Sequence, residues 1–407
     1  MRRSMSEAAR RPRSVSWSAF ELLVDVFLYD AVRTPRGKAK AAGGLASLTP
    51  QELIKLQVNA LGARVDLAAQ APEALLLGCV GQVGDQGGHI ALVSKLHAGL
   101  PDATAAHSIN NYCASGLSAI GHAAAMVASG QAKTALAGGV ECMSRVPFMG
   151  DKASYYSDTS FPARTRYIPV VLAADRLAAA EGLSRAELDA VALTSQQKAA
   201  AAEGNAALNR SRIPTGGLQS EECIRPKTDA SSLGAMPSSF GALQDQYADA
   251  IGSESFEPLH TLGHAPPVCD GAALALVGGD RLSQPRARIL AFAECGGDPA
   301  AGLTAGFAAM DKALARARLS LADMDRIEFM ESFAVTIAKF LRDRDVDPDK
   351  VNVSGGHIAK GHPMGASGAI LTSTLLDCLD EADRSLGLVV VSGASGTGAA
   401  MVVERSN

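Results

Sequence analysis

The stretch Asn110-Asn111-Tyr112-Cys113-Ala114-Ser115-Gly116-Leu117-Ser118-Ala119-Ile120 reads as a strand ending directly in a helix, with a cysteine at the junction. Residues 104–109 before it are short and extended in character, interrupted only by His107 and Ser108. After it, Leu117, Ile120, Ala124 and Val127 recur at helical spacing as far as Gly130, which suits a C-terminal stop. Cys113 therefore falls at the first turn of a helix, where unpaired N–H groups and the positive dipole end lower a thiol pKa and can hold an anion. Ala114, Ser115 and Gly116 are small enough to let a bulky ligand reach the backbone. Taken bare, an isolated cysteine is more often a small buried hydrophobe, so its meaning depends on the surrounding pattern.

Outward from this junction, strand and helix alternate. Residues 22–29 read as a buried strand, 30–35 as a turn, 49–61 as a helix, 75–80 as a second strand and 89–96 as part of a helix. Residues 134–136 form another strand, ending at Gly138-Gly139. The pattern predicts an α/β fold with a largely parallel sheet and reactive groups at the carboxyl ends of its strands. Residues 144–247 are polar and irregular apart from helices, and Ser184-Arg185-Ala186-Glu187 is a capping box opening a helix toward Lys198 and Ala202. This segment reads as an inserted loop domain lying over the site. The alternation returns with strand 289–293, helix 307–317, strand 326–330, helix 334–341 and strand 351–353. A glycine-flanked segment, a helix over 365–379 and a hairpin of 388–391 with 399–404 follow. Both halves run a strand into a small-residue helix start, at Cys113 and at Gly365, which suggests an internal duplication. The division is an extension over 1–22 expected to be disordered, an N-terminal half over 23–143 and 248–286, the loop domain over 144–247 and a C-terminal half over 287–407.

A chain of 407 residues with 47% hydrophobic and 20% charged residues is a globular protein with room for two or three domains. No apolar run approaches the roughly 20 residues of a membrane span, and a net charge of -4 gives no reason to expect nucleic acid. Seven scattered cysteines without CxxC pairs indicate neither a disulfide framework nor a zinc site, and no ligand cluster implies a metal or redox cofactor. A reducing compartment, the cytoplasm, is the natural home. The basic, Ser-rich first 22 residues fit either an inert leader or a transit peptide to an organellar matrix.

The motifs AVRTPRG (31–37), CASGL (113–117), AGGVECMSRVP (137–147), SQQKAAAA (195–202), DGAA (270–273), ESFA (331–334), GGHIAKGHPMGASG (355–368) and the glycine-rich end over 392–398 occur in an order that resembles the thiolases. The likeness to these acetyl-CoA acetyltransferases and 3-ketoacyl-CoA thiolases runs from about residue 24 to 405. It implies a five-layered αβαβα fold of two similar halves, with the loop domain over the coenzyme A site. It implies a homodimer or homotetramer acting on acyl-CoA, with coenzyme A as substrate and product and no permanently bound cofactor. By the same resemblance Cys113 takes an acyl group from a thioester, His362 is its base, and the backbone N–H groups of Cys113 and Ala394 form an oxyanion hole. His264, Met330, Phe333 and Gly396 fall at substrate or coenzyme A positions. The chemistry agrees, because a thiolate attacking a thioester needs a nearby base of near-neutral pKa and fixed donors for the oxyanion.

The pattern also breaks. Ser392 stands where the family carries a second, proton-shuttling cysteine, and a hydroxyl is far less acidic than a thiol. Met330 replaces the asparagine that positions a water. His357 stands where a small or apolar residue is usual, and it reads either as a cavity-facing group that replaces a missing acid/base or hydrogen-bond donor or as a surface or dimer-contact histidine. His264-Ala265-Pro266-Pro267 replaces an Asn-Ala-Ser-Gly turn, removing a hydroxyl and two N–H donors, with His264 fixing the loop. Three readings follow: a thiolase-type acyltransferase cleaving or condensing 3-ketoacyl-CoA, a divergent acyl-enzyme passing its acyl group to water or a non-CoA acceptor, and a non-catalytic subunit.

Overall fold

The structure, a computed structural model, describes residues 25–67, 71–251, 256–279 and 284–406. The extension expected over residues 1–22 lies outside the described residues, as does the start of the first expected strand. Ten strands form a continuous sheet: β1 (Phe27–Arg33), β2 (Gly37–Lys38), β3 (Ala74–Gly78), β4 (Ala105–Ile109), β5 (Thr134–Cys142), β6 (Cys269–Gly278), β7 (Ala287–Gly296), β8 (Arg326–Phe329), β9 (Leu386–Gly393) and β10 (Thr397–Arg405). Their order is β4-β3-β5-β6-β1-β7-β10-β9-β8, with β2 paired to β6.

The order contains one pattern twice. In the first half β4, β3 and β5 are parallel, and β6 and β1 follow antiparallel. In the second, β8 and β9 are parallel, and β10 and β7 follow antiparallel. Val351 makes a single bridge to Ile327 of β8, in the place that β4 fills in the first half. The halves meet where β1 and β7 pair antiparallel at Phe27–Arg288 and Leu28–Ala287.

Strand alternation builds three cores. Ala273, Ala275 and Val277 of β6 join Ala399, Met401 and Val403 of β10 around the helices Ser115–Ala128 and Ser367–Glu381 in a central core. The opposite faces point outward. Leu274 and Leu276 pack on helices Pro50–Gly62 and Ile90–Ala98, and Ala400 and Val402 pack on Ala305–Ala317 and Ala334–Asp343. Helices, the first half's strands, the central helix pair, the second half's strands and helices make the five layers.

Several expectations need correction. The residues expected as a turn over 30–35 continue β1 to Arg33. The sheet is mixed, because the fully buried strand β6, absent from the expected elements, inserts antiparallel between β5 and β1. Residues 351–353 contribute a bridge, not a strand. The capping box Ser184–Glu187 opens helix Arg185–Ala202 as expected, and the terminal hairpin is β9–β10.

Candidate active site

The turn around Cys113 is tightly made. Asn111 N–H donates to Ser115 Oγ (2.8 Å), Ser115 Oγ donates to Tyr112 O (2.5 Å), and Tyr112 N–H is held by Asn110 Oδ1 (3.1 Å). Tyr112 adopts φ 47°, a conformation that L side chains rarely take and that marks a turn fixed by its surroundings. The small residues after Cys113 serve packing, not ligand approach as expected. Ala114 and Ser115 are fully buried, and a Cβ on Gly116 would stand 2.7 Å from Gly365 O. Gly368 lies equally close to Leu117. The starts of the two central helices thus touch, and that contact brings the halves' functional groups together.

Cys113 Sγ lies 3.1 Å from His362 Nε2, and His362 Nδ1 lies 2.6 Å from Ser367 Oγ. The neutral imidazole that accepts the thiol proton at Nε2 carries its own proton on Nδ1, facing Ser367. The helix-start argument predicted a lowered thiol pKa, and here the structure differs. Burial, reinforced by the Glu141 charge, pushes Cys113 up to about 12, although the backbone N–H groups of Ala394 and Cys113 itself act in the opposite direction. Burial and the Arg36 guanidinium bring His362 down to about 4. The resting pair is neutral thiol and neutral base, with two N–H groups aimed at the sulfur.

Two residues that the sequence reading passed over hold this pair. Glu141 is fully buried and accepts N–H bonds from Val80 (2.9 Å), Gly81 (3.0 Å) and Gly365 (3.0 Å), plus Gln86 Nε2 (2.7 Å), so one carboxylate ties strand ends in the first half to the second helix start. Burial raises its pKa. Arg36, also buried, donates from Nη1 to Gly361 O (3.3 Å) and is paired with Glu221, which Arg33 shares. A carboxylate inside the apolar run of β5 and two arginines inside AVRTPRG were the available signals.

The remaining expected site residues divide. His264 is buried, with Nε2 2.6 Å from Asp189 Oδ1 and its carbonyl accepting Ala334 N–H, so both its ring and its backbone are held within the protein. Burial takes it to about 4. Pro267 O accepts His362 N–H at 2.8 Å, tying the proline turn to the histidine. Phe333 adopts φ 68° and packs edge-on to His260 and Phe240.

Four expectations are corrected. His357 does not face the cleft: it is fully buried behind His362, ring edge to face at 5.2 Å, and both its nitrogens lack a partner among the described residues. Ser392 shares its side of β9 with Val390, accepts Gly306 N–H at 3.2 Å, and so faces helix Ala305–Ala317. Met330 fills the central core. Gly396, at φ 76°, is a turn residue closing on Gly297, whose N–H donates to its carbonyl at 2.7 Å.

The motifs that do not touch the cysteine hold the scaffold. Glu331 of ESFA accepts Ser195 Oγ of SQQKAAAA (2.8 Å) and Ile358 N–H (2.8 Å) just before the base, and Asp270 of DGAA accepts both the N–H and Oγ of Ser144.

Comparison with known proteins agrees with this architecture. The family models for the thiolase N-terminal domain and thiolase C-terminal domain match residues 26–278 and 283–405. The chain is 33% identical over 399 residues to a 3-ketoacyl-CoA thiolase of Citrobacter koseri, covering 93% of this chain and 98% of that one. It is 32% identical over 414 residues to the 3-oxoadipyl-CoA/3-oxo-5,6-dehydrosuberyl-CoA thiolase of Escherichia coli, covering 94% and 99%. Human mitochondrial 3-ketoacyl-CoA thiolase in complex with CoA superposes with a TM-score of 0.82 at 27% identity, covering 95% and 99%. The chain belongs to the thiolase family. It is a thiolase-type acyltransferase with the thiolase fold.

Proposed function

We propose that this enzyme forms an acyl-Cys113 intermediate from a coenzyme A thioester and cleaves or condenses 3-ketoacyl-CoA. The observation that carries the reading is the 3.1 Å approach of Cys113 Sγ to His362 Nε2, beneath the N–H groups of Cys113 and Ala394. As the sulfur attacks the thioester carbonyl, His362 Nε2 takes the thiol proton, which keeps the buried sulfur from resting as a costly thiolate. The two N–H groups receive the oxyanion. Collapse expels the coenzyme A sulfur, which takes the proton from His362. The acyl group then passes to an incoming thiol or carbanion.

A second reading, transfer to water or a non-CoA acceptor, rests on Ser392. Its hydroxyl is engaged by Gly306 on the far side of β9, so the proton shuttle of the carbon–carbon step has no group there. In this proposal residues 144–247 form the cover over the coenzyme A site. A second copy of the chain would cover the edge strand β4, whose side chains are exposed or half-buried beside exposed Leu92 and Leu96. Seven free cysteines suit a reducing compartment such as the cytoplasm.

Intact mass after brief exposure to acetyl-CoA tests the reading. An acetyl adduct on wild type and none on Cys113→Ala is expected, and no adduct on either overturns it. Chasing the adduct with coenzyme A or buffer separates the two acceptors.

A further inference from the structure

The two N–H groups that receive the oxyanion in the proposed transfer belong to different halves of the molecule: Cys113 follows β4, and Ala394 follows β9. Their turns abut, since a Cβ on Gly393 would stand 3.4 Å from Cys113 N and 3.3 Å from Tyr112 Cβ. Both turns are also tied to β7, the strand that pairs with β10. Phe292 and Glu294 share one side of β7. The Phe292 ring fills the space that Gly121 leaves open on helix Ser115–Ala128, so β7 is pressed against that helix.

Glu294 reaches the start of the same helix and the turn before it. Its Oε1 accepts Asn111 Nδ2 (3.3 Å) and Ser118 Oγ, and its Oε2 lies 3.2 Å from His122 Nε2. Asn111 Nδ2 also donates to Ser118 Oγ (3.0 Å), and Asn111 N–H donates to Ser115 Oγ (2.8 Å). The His122 hydrogen bond is the largest influence on the Glu294 carboxyl and holds its pKa low, so it stays ionised. An ionised carboxylate only accepts, so Asn111, Ser118 and His122 must all donate to it. On the other side of the turn, Asn110 Nδ2 donates to Val80 O (3.2 Å) in the first half. The turn is therefore held from both halves, and the φ of 47° at Tyr112 is a conformation that persists only where the surroundings fix it. Three residues beyond Glu294, just past the end of β7, Gly297 N–H donates to Gly396 O (2.7 Å) in the turn that carries Ala394.

We propose that Glu294 is a positioning residue for acyl transfer: through Asn111 and Ser118 it fixes the Cys113 turn to the strand end that holds the Ala394 turn, and so sets the spacing of the two oxyanion donors. The inference rests on the reading of Cys113 as the acylated nucleophile. Glu294 acts through the turn and takes no part in the movement of the proton or the acyl group. Without its carboxylate Asn111 keeps Ser118, but the link from that turn to β7 is gone. A donor displaced by about 1 Å can cost about 10²-fold in rate. That loss falls on the tetrahedral oxyanion and not on the binding of coenzyme A, so it belongs to the rate at saturation.

The test is time-resolved intact mass of the full chain over a range of acetyl-CoA concentrations. Glu294→Ala should lower the limiting rate of acetyl-Cys113 formation about tenfold or more, with the half-saturating acetyl-CoA concentration within about twofold of wild type. Glu294→Gln keeps a carbonyl acceptor for Asn111 and Ser118 and should stay within about threefold of wild type. Asn111→Ala cuts the same link from the other end, leaves β7 untouched and stands in if Glu294→Ala does not fold. The double variant should be no slower than the slower single one, because both remove one connection. Wild-type rates in Glu294→Ala or Asn111→Ala, a Gln variant as slow as the Ala variant, or losses that multiply in the double variant overturn the positioning role while leaving acetyl-Cys113 in place. If wild type takes no acetyl group, the reading of Cys113 falls and the positioning role with it.

Discussion

The two halves of the molecule use the same strand order and the same central helix, yet they contribute opposite chemistry. In the first half only residues 110–114 separate β4 from helix Ser115–Ala128, so Cys113 sits at the helix start. In the second, residues 352–366 intervene between the Val351 bridge and helix Ser367–Glu381, with a short helix His357–Lys360 inside them. That longer connection carries His362 across to the other half's cysteine. Duplication supplies the frame, and a lengthened turn on one side supplies the reactive pair.

If the asymmetry is where the chemistry lies, removing either side of it should have the largest effect. Cys113→Ala should lower acyl-enzyme formation on the order of 10⁴-fold or more, read by intact mass and by thiol release. His362→Ala should cost about 10²–10⁴-fold, and a smaller loss would mean that the lengthened turn does not carry the base. The shared frame can be attacked separately. Gly116→Val places a side chain where Gly365 O already stands and should destabilise the fold by about 3 kcal/mol, seen as a lower denaturant midpoint. An unchanged midpoint would show that the helix starts are not in close contact.

Proton linkage sharpens the comparison at a smaller scale. His362 and His264 are held near 4, and His357 also well below its ordinary value, all chiefly by burial. The unfolded chain takes up these protons as pH falls below about 6.5, while the native state refuses them, at His362 and His264 until about 4. Stability should therefore fall through that window, as a decreasing thermal midpoint from pH 7 to pH 4.5. Acylation itself should stay level across about pH 5 to 9, because neither partner of the pair titrates there. The smallest effect belongs to Ser392→Ala: about 1 kcal/mol for the lost Gly306 hydrogen bond, with acylation within about twofold of wild type. A tenfold loss would return Ser392 to the chemistry.

Most of the frame was legible because the cysteine turn, the histidine turn and the alternating segments leave local marks. β6 escaped because Ala272-Ala273-Leu274-Ala275-Leu276-Val277 is buried on both faces and so lacks alternation. Cys113 and His362 stood out in their motifs, but the raised thiol pKa did not. The helix start is local, whereas the burial and the Glu141 charge that outweigh it come from packing. Met330 and His357 were recognised as unusual, yet whether a side chain faces a cleft or a core depends on neighbours far away in sequence. For Ser392 no mark existed: three identical valines precede it, and that it shares the outer side of β9 with Val390 shows only in the packing.

The position of β10 bears on when such a protein can begin to work. It lies between β7 and β9, two strands in from the β8 edge of the sheet, and its inner face completes the central core against which both helices rest. The turn entering it carries Ala394, whose N–H is aimed at Cys113. A nascent polypeptide that has emerged only through β9 holds the cysteine and the histidine but neither the finished core nor that donor. Competence for acyl transfer would therefore switch on late in biogenesis, once the last strand is in place.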